Sequence, residues 1–120
     1  MPTRQLKTYA GLTGFVYQYY FVGQRPALDH DPEAPAIEYI FDVTSDRKTT
    51  FAVSVFLQSQ ALALWGAARG RSLDEPEQYA AAKLRLMQAF DEVADMLHEG
   101  RRLRIDGEQL ISLLDSIGVD

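Results

Sequence analysis

Three strand-like segments come first and helical segments follow, and that order constrains the fold more than any motif in the chain. Segments 14–22, 36–44 and 49–57 are rich in aromatic and β-branched residues, whereas nearly everything after Ser59 has helical periodicity. A parallel sheet needs a crossover between successive strands and helices over both faces, so strands grouped ahead of helices predict an α+β fold. The expected architecture has two layers: an N-terminal antiparallel sheet of three main strands, with 102–105 as a candidate short fourth strand, packed against C-terminal helices.

Alternation assigns the faces. In the first segment Phe15, Tyr17, Tyr19 and Phe21 share one side, and Val16, Gln18, Tyr20 and Val22 the other, so neither side reads as wet. Such a strand is expected to be central, or to have its second face covered by a helix, a loop or a partner. The second segment sends Ile37, Tyr39, Phe41 and Val43 inward, leaving Glu38, Ile40, Asp42 and Thr44 on a side expected to meet water. Ser45, Asp46, Arg47 and Lys48 form a polar hairpin connection, after which Phe51, Val53, Val55 and Leu57 continue the inward row. Thr50, Ala52 and Ser54 make an outer row small enough to admit a close neighbour. Segment 23–35 contains three prolines, which argue against regular ladder bonding, and reads as a long irregular loop.

Downstream, Ser59 is a candidate cap for a short helix ending at Gly70. Asp74 and Glu77 have capping-box spacing at the head of a helix expected to run over 73–99. Its inward stripe is Tyr79, Leu86, Phe90, Val93 and Leu97, opposite an acidic ridge that includes Asp91, Glu92, Asp95 and Glu99. Asp106 and Gln109 repeat the capping pattern before a final helix, and Gly118 followed by Val119 fits its stop.

At 120 residues the chain suits one core, and a single α+β domain over 1–120 is expected. The absence of cysteine removes disulfides, thiolate metal sites and a cysteine nucleophile together. The first seven residues lack the apolar run of a signal peptide, and no stretch nears the ~18 apolar residues of a membrane span. A cytoplasmic protein without membrane contact is expected. Charge is uneven: residues 1–73 hold 7 Lys/Arg against 6 Asp/Glu, and residues 74–120 hold 5 against 11, which makes the C-terminal part acidic. Only Arg101, Arg102 and Arg104 form a basic run, so no nucleic-acid partner is expected.

Catalytic equipment is sparse. Asp29, His30, Asp31 and Glu33 bring an imidazole and three carboxylates together, but consecutive side chains in an extended loop diverge and no second ligand set is spaced to meet them, so neither a metal nor another cofactor is expected. No Gly-x-Ser-x-Gly elbow occurs, and Gly11-Leu12-Thr13-Gly14 precedes a strand without a phosphate-loop Lys-Ser/Thr. The leading expectation is therefore a non-catalytic protein-interaction or adaptor module, acting on a protein partner or on a second copy of itself. Its candidate surface is Tyr20 and Val22 on the second face of the first strand, with Glu92, Asp95 and Glu99 on the acidic ridge. The alternative is a small-molecule pocket between sheet and helices, gated by the 23–35 loop, with Arg25, His30, Tyr17 and Tyr19 as polar handles.

Overall fold

The computed structural model describes residues 6–28 and 35–120. Four strands, β1 (Lys7–Ala10), β2 (Val16–Leu28), β3 (Pro35–Thr44) and β4 (Phe51–Gln58), precede α1 (Ser59–Arg69), α2 (Glu75–Glu92) and α3 (Met96–Glu99). Then come β5 (Arg102–Ile105) and α4 (Gly107–Asp115). The strands form one sheet in sequence order, antiparallel from β1 to β4, with β5 parallel to β4. The fold is α+β, as the order of segments predicts. Segment 102–105 does join the sheet, and its parallel pairing is possible because α1 to α3 supply the long crossover that such a pair needs.

β2 corrects the reading of segment 23–35. The strand continues to Leu28, and Pro26 stands opposite Ile37 of β3. β1 pairs only with Val16–Tyr19, so from Tyr20 onward β2 has a ladder on one side and a residue without an N–H is tolerated. A bulge at Val22 falls just past the end of β1: Phe21 opposes Phe41 and Gly23 opposes Ile40, which leaves Val22 unpaired. Pro35, the last residue of the proposed loop, opens β3 opposite Leu28, and residues 29–34, including His30, lie outside the described residues.

The inward rows are as alternation predicts. Tyr17, Tyr19, Tyr39, Phe41, Val43, Val53, Val55 and Leu57 are buried with Trp65 of α1, Leu86 and Phe90 of α2, and Leu110 and Leu114 of α4. Tyr17 stacks on Phe90 at 4.1 Å and 8°. Tyr19 and Tyr9 meet the same ring at 5.9 Å each, which makes Phe90 the hub of the sheet-to-helix contact.

Helix ends follow their capping chemistry with two exceptions. The capping boxes at Asp74 and Glu77, and at Asp106 and Gln109, are both formed. Gly118 has φ of 76°, and the Val119 N–H returns to the Leu114 carbonyl at 3.0 Å. The first exception is α1, which is preceded by Gln58, not capped by Ser59, because β4 runs directly into it. The second is the helix expected over 73–99, which stops at Glu92; Val93 is extended at φ −106° and ψ 112°.

No proline or glycine breaks it there. If the helix continued, the Phe90 carbonyl would accept the Ala94 N–H; instead it accepts the Thr13 hydroxyl at 3.0 Å. Asp91 accepts from the Tyr9 hydroxyl at 2.7 Å and from the Leu12 N–H at 3.0 Å. The β1–β2 turn has captured the last turn of α2, so Asp91 is not part of a solvated ridge. Met96 then enters the core while Leu97 stays 37 % exposed. Gly11 allows this docking, since a Cβ on it would lie 2.5 Å from the Phe90 carbonyl oxygen. Gly11→Ala is expected to cost about 1–2 kcal/mol in urea unfolding as the turn is pushed off the helix, with an unchanged m-value.

Candidate functional site

The helices share a core with only one face of the sheet. None of the outward rows, Val16, Gln18 and Tyr20 on β2, Glu38, Ile40 and Asp42 on β3, or Ala52, Ser54 and Phe56 on β4, belongs to the core cluster or packs on it. This outer face mixes apolar side chains with a built polar network. Val16 and Val22 are 54 % and 42 % exposed, and the Tyr20 hydroxyl donates to Asp42 at 2.7 Å.

Glu38 sits at its centre and is only 7 % exposed, which corrects the expectation that this row of β3 meets water. Arg25, directly across on β2, donates from Nε at 2.8 Å, and Ser54, diagonal on β4, donates from Oγ at 2.6 Å. Burial alone would raise the Glu38 carboxyl, but the bonds from Arg25 and Ser54 and the charges of Arg25 and Arg102 outweigh it and hold it below the usual range. The opposed causes identify a carboxylate kept ionised in a nearly dry position.

Beside it, Phe56 is 2 % exposed although it points away from the helices. The Arg102 guanidinium lies over its ring, 4.5 Å from the centroid. Arg102 enters this face because β5 pairs Ser54 with Arg102 and Phe56 with Arg104. The result is a sheet surface whose arginines are oriented by a carboxylate and an aromatic ring.

The proposed residues separate onto different parts of the molecule. Tyr17 and Tyr19 are buried on the inner face, where burial raises both phenols and keeps them protonated. Arg25 is on the opposite face with Tyr20 and Val22, so the sheet stands between it and those tyrosines. Glu92, Asp95 and Glu99 are exposed but do not share one helix: Glu92 ends α2, Asp95 caps α3 through the His98 N–H, and Glu99 ends α3. Tyr17 and Asp95 do meet, on the wall of a cleft beneath the β3–β4 turn.

Sequence reasoning missed Glu38, Phe56 and Arg102 as a group. The signal that joins them is the alternation of Arg102-Leu103-Arg104-Ile105, which puts both arginines on the outward side once β5 is placed beside β4. Among the described residues no helix is long and apolar enough to cross a membrane. No protein-family model matches the chain, and no curated protein or solved structure is significantly similar to it.

Proposed function

We propose that the protein is a non-catalytic interaction module that docks a protein partner on the outer face of its sheet. The observation that carries this reading is the composition of that face: exposed Val16 and Val22 and half-buried Tyr20 on β2 share it with Arg25, held by Glu38, and Arg102, held over Phe56. Interface centres are enriched in Tyr, Phe and Arg, and residues ordered before binding lose less entropy when the partner arrives. Charges paired with one another, in place of groups aimed at a common reacting atom, favour docking over catalysis.

Hydroxyl-radical footprinting tests it, first with the purified protein over a range of concentrations and then with a lysate of the source cells added. Val16, Tyr20 and Val22 are expected to lose reactivity while Leu12 and Leu64, 85 % and 56 % exposed elsewhere, keep theirs. Protection that appears on concentration alone identifies the partner as a second copy. Undiminished reactivity of all three in both series would overturn the reading.

A second reading, small-molecule binding between sheet and helices, is favoured by a wide, open depression of about 330 Å³ between β2 and the start of α2, lined by Phe21, Gln24, Glu75, Pro76 and Tyr79. A reproducible added mass in native mass spectrometry of the purified protein supports it, and a bare protein mass counts against it.

A further inference from the structure

The interruption between α2 and α3 leaves a cleft of about 240 Å³ at the opposite end of β2 from Gln24. Its apolar wall is Phe15, Tyr17, Phe51, Met96 and Leu97. Tyr17, Phe51 and Met96 are buried, whereas Phe15 and Leu97 are 44 % and 37 % exposed at the mouth. A continuous helix would not deliver Ala94 and Asp95 in non-helical backbone to this wall, so the cleft is a product of the docking that ends α2.

Two carboxylates face the apolar wall, Asp46 from the β3–β4 turn and Asp95 from the helix interruption. Asp46 is held rigidly: its Oδ1 accepts from the Lys48 and Thr49 N–H groups at 2.8 Å each and from the Thr44 hydroxyl at 3.2 Å. Its Oδ2 accepts no hydrogen bond among the described residues. Arg47, beside it, is the one non-glycine described residue with positive φ, at 65°, a conformation that the same turn imposes. Asp95 already faces His98, whose Nδ1 lies 2.9 Å from its Oδ2. Asp46 Oδ2 is therefore the better placed of the two for a ligand.

We propose that this cleft binds a small organic ammonium ion, its apolar body against Phe15, Tyr17 and Leu97 and its nitrogen on the Asp46 carboxylate. The chemistry follows from the lining. Aromatic faces attract cations as well as apolar groups, whereas an anion of the same shape would meet two carboxylates. The volume lies just below the ~300–1,000 Å³ of drug-sized ligand sites, which restricts the occupant to about one aromatic ring and a short amine arm.

Protein-observed NMR tests this with 2-phenylethylammonium as the cation, 3-phenylpropionate as the anion of similar shape and benzyl alcohol as the neutral control. The cation is expected to shift the Met96 and Leu97 methyl signals and the Thr49 amide saturably. The anion is expected to bind at least tenfold more weakly. Asp46→Asn keeps the oxygen that the turn amides need and removes the charge; it is expected to weaken the cation about 5-fold and to leave benzyl alcohol unchanged. Phe15→Ala, at a half-exposed position outside the buried core, is expected to weaken both the cation and benzyl alcohol. Absence of a saturable shift, equal affinity for cation and anion, or full affinity in Asp46→Asn would each overturn the proposal.

Discussion

Phe90→Ala is expected to cost about 3–5 kcal/mol of unfolding free energy, the range for deleting a buried aromatic ring from a well-packed core. The ring is fully buried and is stacked on Tyr17 at 4.1 Å, with Tyr9 and Tyr19 at 5.9 Å each, so its removal leaves three aromatic neighbours with a common void. The surroundings cannot collapse freely, because the backbone on either side is tied down. The Phe90 carbonyl holds Thr13, and Asp91 holds Tyr9 and Leu12. A cavity that does not close sits at the costly end of such series. Thermal unfolding followed by circular dichroism is expected to drop by roughly 10–20 °C for a chain of this size. A drop of less than 3 °C would mean that Phe90 is not the hub of the core.

Glu38→Ala is expected to cost about 1.5–3 kcal/mol at neutral pH, the value of hydrogen bonds made to a charged group. The cost comes from the Ser54 hydroxyl, which loses its acceptor in a nearly dry position, more than from Arg25, whose side chain is 66 % exposed and returns to water, or from Arg102, which is exposed as well. The pH dependence gives an independent check. The Glu38 carboxyl is held below its ordinary value of 4.5 in the folded protein, so its stabilisation is complete above that value. It is lost as the pH falls through the lower, native value. Glu38→Gln, which keeps the size and an acceptor oxygen, is expected to flatten this acid limb while losing less stability at pH 7 than the alanine variant. An acid limb identical in wild type and Glu38→Gln would show that the carboxylate is not held ionised by its neighbours.

Local chemistry made much of the fold legible. Period-2 alternation identified the rows of β3 and β4 and the hairpin between them, and Asp-x-x-Glu and Asp-x-x-Gln marked the starts of α2 and α4. What could not be read depends on contacts far apart in sequence. Lys7-Thr8-Tyr9-Ala10 is too short and too polar to announce a strand, yet it becomes β1 because β2 offers it an edge. Val93 and Leu97 continue the apolar stripe of α2, and only a hydroxyl 77 residues earlier in the chain, on Thr13, explains why the helix ends before them. Glu38 reads as a solvated position because alternation assigns a face without saying what else occupies it. Its burial depends on Arg25, Ser54 and Arg102 arriving from three other strands. His30 and its acidic neighbours lie outside the described residues.

The position of β5 and the helices late in the chain bears on how the protein is made. During synthesis the four antiparallel strands emerge first, with Tyr17, Tyr19, Tyr39 and Phe41 lined up along one side. Their cover, Leu86, Phe90, Leu110 and Leu114, follows only after a further stretch of translation, about a few seconds at ordinary elongation rates. Until then the nascent sheet is an aromatic surface without a second layer, open to the wrong chain as readily as to its own.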